Sequence, residues 1–314
     1  MKYLRMIHSW KILTIAGMIT TLVLLPLLVK FGYALDILFF VFLYILLGQS
    51  FNILAGYIGL ISLGQASFFG IGALVTRFLW VVGLPFYFSI IAGGVAATLL
   101  SVIIGFPCLR LRGAYFSIGT LALTIIGYIL TSNVFITESF LPPTYMADYS
   151  TLIRYFVGLV LAIGATVMVY IIANSRLGMG MMAVREDEEA AKSIGINAFR
   201  SKFLALLISA FGTGLGGGAF AFYQVALYLY HGFSPLWSFE PILATFIGGP
   251  GTLFGPVFGA VFYIVLREIF ALTIGAPHIV IFGIIFILVV LLLPRGLAEV
   301  WEKFYASINT DQTR

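Results

Sequence analysis

The chain has 314 residues, of which 61% are hydrophobic and 9% charged, with a mean hydropathy of +1.11 and a formal net charge of +5. Soluble domains carry roughly 45–50% apolar and about 25% charged residues, and a globule this apolar could not cover its surface with polar groups. The 30 Phe, 16 Tyr and 4 Trp exclude a disordered chain, and long continuous apolar runs argue against a β-barrel, which leaves a polytopic helical membrane protein.

A helix that crosses the hydrocarbon core needs about 20 mostly apolar residues. By that rule, spans are expected near 12–31, 34–55, 60–80, 86–106, 114–134, 152–173, 203–229 and 278–293. The first follows Lys2, Arg5 and Lys11 and starts like a signal peptide. No small-residue cleavage site follows it, so it reads as a retained helix. The fold class is therefore all-α, with about eight transmembrane helices in a single domain, residues 1–314.

Residues 56–72 place five glycines with Ser62, Gln65 and Ser67 inside an otherwise apolar region. The next irregular region is the connector 174–202, which is long for a loop between spans. Nine of the 29 charged residues fall in it. From Met179 to Ile194 it is rich in helix formers, and Gly195 follows as a stop, so one short helix is expected along the membrane surface. Glu188 and Lys192 form an i,i+4 pair in the favourable order. The run Glu186, Asp187, Glu188, Glu189 reads as a solvated face, and the small Ala190-Ala191 face suits docking into a groove on another protein.

Residues 239–268 carry Gly248, Gly249, Pro250 and Gly251 between two apolar stretches. Pro removes a backbone donor and Gly loosens the chain, so the helix should break there. The expectation is a re-entrant segment of two short helices, covered by protein or lining a water-filled cavity. An extra full crossing is the rival count. The strings Phe69-Gly-Ile-Gly-Ala73 and Val257-Phe-Gly-Ala260 are similar, as a transporter repeat or by chance in a chain with 34 glycines.

With the N-terminus inside, the inner segments hold 13 of the 17 Lys and Arg, as the positive-inside rule requires, and both termini lie on the cytoplasmic side. The surplus of cations thus marks inner loops and not nucleic-acid binding.

No enzyme constellation emerges. There is no Gly-x-x-x-x-Gly-Lys-Ser/Thr loop for nucleotide phosphates. His8, His231 and His278 are too far apart to make a metal site, and Cys108, without a CxxC partner, reads as a small buried apolar residue. The substrate-pathway candidates are the polar residues set in apolar spans: Gln49, Asn52, Ser62, Gln65 and Ser67, then Tyr115, Ser117 and Thr120. Their alternative role is interhelical hydrogen bonding. Asp36, Arg77 and Glu240 read as interfacial or paired charges, with Arg77 a possible carboxylate contact.

Glu189-Ala190-Ala191, then Gly195, resembles the EAA motif of bacterial ABC importer permeases. The wider pattern is similar to branched-chain amino-acid permeases of the LivH/LivM type. It comprises Asn52–Ala73, Leu109-Arg-Leu-Arg-Gly-Ala-Tyr-Phe116, Ser175-Arg-Leu-Gly with Ala183–Ala191 and Gly195-Ile-Asn, Phe246–Gly259, and Leu293-Pro-Arg-Gly-Leu297. The Leu-Arg-Gly-x-Tyr-Phe segment favours the LivM branch. Two departures are Ala114, where the family has an acidic residue, and Pro250-Gly251, where Leu-Gly or Met-Gly is usual.

The resemblance implies a permease without enzymatic activity of its own, in a bacterial or archaeal cytoplasmic membrane. It implies a second homologous permease, two ABC ATPase subunits that carry ATP and Mg, and an extracytoplasmic substrate-binding protein. Arg185, Glu186, Glu189, Ala190, Ala191 and Gly195 would form the ATPase-coupling element. Cargo would be a branched-chain or related amino acid, with urea or short amides as the alternative. An ion-coupled secondary transporter is disfavoured, because acids and histidines are nearly absent in mid-span.

Overall fold

The computed structural model describes residues 23–26, 32–111, 113–135, 139–140, 150–273 and 283–284. The expected spans 12–31 and 278–293 therefore lie almost wholly outside the described residues, as do Arg112, the string 293–297 and both termini. Helix α1 runs Gly32–Asn52 and continues as one π-helical turn, Ile53–Tyr57. Then follow α2 (Gln65–Val82), α3 (Phe86–Cys108), α4 (Ala114–Val134), α5 (Thr151–Ala173), α6 (Arg176–Glu186), α7 (Glu188–Ser193), α8 (Ala198–Tyr223), α9 (Leu236–Gly248) and α10 (Gly255–Thr273). Seven helices among the described residues are long and apolar enough to cross a membrane, as expected of an all-α polytopic protein.

Burial sorts these helices. α1 is apolar on every side and almost entirely covered, which makes it the central helix. α3, α4, α5 and α10 are mostly uncovered and turn large apolar side chains such as Leu99, Ile103, Ile118 and Val160 outward. In a bilayer those faces meet lipid or a partner helix.

Glycines set the spacing of the inner helices. A Cβ on Gly72 of α2 would lie 2.1 Å from the Gly214 carbonyl oxygen of α8, and one on Gly217 of α8 would lie 1.9 Å from the Phe69 oxygen. Small residues let helix backbones touch where lipid supplies no hydrophobic drive between helices.

Two crossings are unwound part-way. Gln65 opens α2 beside Ser209 and Thr213 of α8. Ser209 lies eleven residues into its helix, so α2 begins about 17 Å along α8. Residues 58–64, which lead into α2, are not helical. The second unwound stretch corrects the expected span 203–229. α8 ends at Tyr223, and residues 224–235 turn back into the bundle. Ala226–Leu227 pairs antiparallel with Ser139–Phe140, and Leu229–Phe233 forms a 3-10 turn. Gly232 passes against Gly70 of α2, and the Phe233 ring fills the space beside Gly70 and Gly127 of α4. Apolarity alone made 224–229 look like helix, but its backbone is spent on a strand pairing and a 3-10 turn wedged between α2 and α4.

The expected re-entrant pair is also corrected in one arm. α9 is short, with 13 residues, and ends at Gly248. α10 has 19 residues and is long enough to cross. It continues through Arg267 and Glu268 because these charges find partners: Arg267 at Tyr44 and Glu240, and Glu268 at the Tyr33 hydroxyl.

Candidate functional site

The connector 174–202 holds two helices where one was expected. Asp187 separates them with extended backbone, and its carboxylate caps α7 by accepting from the Glu189 and Ala190 amides. At the other end Gly195, at φ +86, donates to the Lys192 carbonyl while Ile196 donates to that of Ala191. This is a Schellman stop, and its left-handed residue favours glycine. Lys192 bridges Glu188 at 3.2 Å and Glu189 at 2.9 Å, and Lys202 reaches Glu188 at 2.6 Å. The Lys202 ammonium, followed by Lys192, holds the Glu188 carboxyl below its ordinary pKa. α7 is thus tied to the start of α8.

The faces of this element are not as the sequence suggests. Ala191 is buried in the apolar core with Met181, Val184 and Ile172, so the Ala-Ala face does not exist as a docking surface. Spacing of one residue along a helix turns a side chain by about 100°, so neighbouring alanines cannot share a face. What remains exposed is Arg185, Glu186, Asp187, Glu189, Ala190, Lys192, Ser193, Gly195 and the apolar Ile194, which is 74% exposed.

Arg185 departs furthest from expectation. It sits on α6, and its guanidinium turns inward and donates to the Gly56 carbonyl at the π-helical turn. A π turn within a helix is rare and tends to mark a functional position. The same guanidinium touches the helix break: a Cβ on Gly251 would lie 2.9 Å from its Nη1. Asn52 completes the knot. Its Oδ1 accepts from the Gly251 amide at 2.7 Å, and its Nδ2 donates to the Thr252 carbonyl at 2.9 Å. Gln49, one turn earlier, donates to the Leu253 carbonyl at 2.7 Å. Gln49 and Asn52 thus satisfy the Gly251 amide and the Thr252 and Leu253 carbonyls, and Thr252 Oγ1 donates to the Gly249 carbonyl, as an irregular segment within a bundle requires. Arg185 links the exposed loop to both the end of α1 and the turn between α9 and α10.

The other pathway candidates are largely engaged in helix packing. Gln65 is fully paired, donating to Ser209 Oγ and accepting from Thr213 Oγ1. Ser67 meets Thr124 at 3.1 Å, Ser62 accepts from the Gly64 amide, and Thr120 accepts from the Leu63 amide. Ser117 donates to the Ile61 carbonyl at 2.6 Å. These bonds hold the unwound segment 58–64 against α4 and α8. Tyr115 is 74% exposed, so it does not line an interior path of this chain. The first turn of α2 is closed, since the Ala66 amide donates to Ser238 Oγ of α9. Arg77, fully buried, donates to the Gln224 carbonyl where the unwound return begins and lies 5.7 Å from the Trp80 ring. Asp36 pairs with Arg154 at 3.3 Å.

One group of charges was missed from the sequence. Glu240 of α9 accepts from the Tyr44 hydroxyl of α1, and Arg267 of α10 lies 3.4 Å from that hydroxyl and 3.9 Å from the Glu240 carboxylate. Glu240 is paired, one of the two roles its sequence position suggests, and its partner Arg267 carries no sequence signal of its own. Their 27-residue separation carries no motif; only the fold of α9 back on α10 brings them together.

The amino-acid sequence matches a known family. The family model described as branched-chain amino acid transport system / permease component fits residues 33–293. The chain belongs to this permease family. Two curated relatives are the high-affinity branched-chain amino acid transport system permease proteins LivM of Salmonella typhimurium (strain LT2) and Escherichia coli (strain K12). Each is 28% identical over 311 residues, covering 87% of this chain and 71% of the relative. No solved structure matches. The chain is thus a multi-pass membrane permease of the branched-chain amino-acid ABC transporter family. Within that family the knot at Arg185, Gly56, Asn52 and Gly251 joins the only highly charged loop among the described residues to the broken crossing.

Proposed function

We propose that this chain is a permease subunit of an ATP-driven importer for branched-chain or related amino acids. It works with a second, homologous permease, two ABC ATPase subunits that bind ATP and Mg, and an extracytoplasmic binding protein. It sits in the cytoplasmic membrane of a bacterium or archaeon, with both termini and the 174–202 loop inside. The observation that carries this reading is the bridge made by Arg185 from α6 to the Gly56 carbonyl and the Gly251 turn.

A rigid capped helix, α7, presents Glu189, Ala190 and Ile194 to a partner. Ala191 packs with Met181 and Val184 of α6, and Glu188 pairs with Lys202 of α8, so a push on α7 is passed to both neighbouring helices and not absorbed. α6 carries Arg185, whose guanidinium donates to the Gly56 carbonyl at the π-helical turn and lies beside Gly251 of the α9–α10 turn. A partner whose ATP-bound and ADP-bound forms dock α7 differently would shift the balance between two settings of the broken helices. The family relationship and the similarity to the LivM permeases support the cargo class.

The test is uptake of radiolabelled leucine by the complete importer in proteoliposomes. Glu189→Lys reverses the charge at the exposed tip of α7. Gly195→Val forces a β-branched residue into a left-handed backbone. Each should lower ATP-dependent uptake at least about tenfold, within the usual range of coupling energies, with the chain still inserted and assembled. Unchanged uptake in both variants would overturn the reading.

A further inference from the structure

Above the α9–α10 turn, a cavity of about 360 Å³ opens between α1, α4, α8, α9 and α10. Its volume is near the lower end of ligand pockets, roughly 300–1,000 Å³, and suits a small solute. Tyr128, Phe220, Leu236 and Trp237 give it an apolar and aromatic wall, while Glu240 and Arg267 supply its two formal charges. Trp237 is held in place by stacking on Phe69 at 4.2 Å and by its indole nitrogen donating to the His231 carbonyl. The wall is thus preformed.

The two charges are unusual in kind and spacing. Ionisable groups inside transmembrane helices are costly and point to function by default. A pair kept only for architecture should close to a direct hydrogen-bonded contact of about 2.8 Å. Here the nearest approach is 3.9 Å, at the edge of an ion pair, and both side chains keep partial access, 22% for Glu240 and 35% for Arg267. Tyr44 stands between them, donating to Glu240 and lying 3.4 Å from Arg267. Its own ring is fixed by stacking on Tyr263 at 5.3 Å. The carboxylate is therefore aimed by Tyr44 of α1 and Tyr263 of α10, while the guanidinium retains donors for another acceptor.

We propose that Glu240 and Arg267 receive the two charged ends of a zwitterionic α-amino acid, the ammonium at Glu240 and the carboxylate at Arg267. The side chain of the solute then lies against Leu236, Trp237 and Phe220. A lone cation meets Arg267 and a lone anion meets Glu240, so only a molecule carrying both charges is matched on both sides. The exchange leaves the net charge of the site unchanged, which keeps binding weak enough for the solute to move on. This inference rests on the importer reading and adds a subsite to it.

Two measurements separate the inference from that reading. Leucine uptake by the complete wild-type importer tests the reading alone. Competition against radiolabelled L-leucine on the purified permease–ATPase complex, without the binding protein, tests the subsite. The competitors are L-leucine, its 2-hydroxy analogue without the ammonium group, and isoamylamine without the carboxylate. In the wild type, L-leucine should compete at least about tenfold better than either analogue, as expected for the loss of one charged hydrogen bond. Glu240→Gln preserves shape and the acceptor for Tyr44. It should weaken L-leucine about tenfold and erase its advantage over the hydroxy analogue only. Arg267→Gln should erase the advantage over the amine only. If the wild-type complex does not bind leucine although the importer transports it, the subsite is overturned and the reading stands. If either variant weakens all three ligands equally, the pair is a packing element and the inference is also overturned.

Discussion

Arg185→Gln is expected to cut leucine uptake by about tenfold or more while ATP hydrolysis by the assembled importer persists. The guanidinium donates to the Gly56 carbonyl across Gly59, whose Cβ position lies only 3.2 Å from the Arg185 side chain. Glutamine is too short to cover that path, so Gly56 loses a charged donor and the Gly251 turn loses its neighbour. A hydrogen bond from a charged group contributes about 1.5–3 kcal/mol, which as a coupling energy corresponds to roughly 10–150-fold. The effect should fall on coupling more than on folding, because α6 remains anchored by Met181 and Val184 and α7 by Ala191. Arg185→Lys retains length and charge and should recover part of the uptake. Parallel assays of uptake and hydrolysis check this, and equal loss of both in Arg185→Gln would show that Arg185 serves assembly and not coupling.

Gly217→Val should produce the largest structural effect. A Cβ at this position falls 1.9 Å from the Phe69 carbonyl oxygen and 2.9 Å from the Ala73 amide nitrogen, both backbone atoms of α2. Neither can move without separating α2 from α8, and the separation would carry Gln65 away from Ser209 and Thr213. Overpacking of this kind costs about 3 kcal/mol or more. The thermal midpoint of the detergent-solubilised protein should fall on the order of 5–10 °C, and the folded yield should drop. Gly164→Ala provides the contrast. Gly164 lies in α5 with no heavy atom within 4 Å of its Cβ position, so that change should be neutral or slightly stabilising. Intrinsic fluorescence during a temperature ramp distinguishes the two.

The sequence revealed the membrane class, the main helices, the break at Gly249-Pro250-Gly251 and the unusual character of 174–202. Each of these is local, since apolar runs, Gly-Pro punctuation and dense charge are written in neighbouring residues. It misplaced features that depend on what lies beside a segment. Residues 224–229 are apolar enough for a helix, yet Ala226–Leu227 pairs with Ser139–Phe140, and the chain then turns so that Phe233 fills the space beside Gly70 and Gly127. Ala190 and Ala191 look alike in sequence, but only the second meets the core. Arg185 stands among the loop charges, and only the fold turns it towards Gly56. The polar set Gln65, Ser67 and Thr120 reads in the sequence as pathway residues or interhelical hydrogen-bonding ones, and the structure buries it and joins it to helix packing. Glu240 and Arg267 were illegible as a pair because 27 residues and a sharp turn separate them.

The central claim is that α7 is the surface on which an ATPase subunit docks. Cys108 is buried and is the chain's single cysteine, so a cysteine placed at Ala190 stands alone on the exposed tip of α7. A short maleimide–succinimidyl ester reagent applied to native membranes, bonding the new thiol at one end and a lysine of the neighbouring subunit at the other, should join Ala190→Cys to an ATPase subunit, with a yield that changes when nucleotide is trapped. The same reagent applied to Val160→Cys, on the exposed apolar face of α5, should not. An Ala190→Cys chain that never cross-links to an ATPase subunit, in an importer that still transports leucine, would contradict the account.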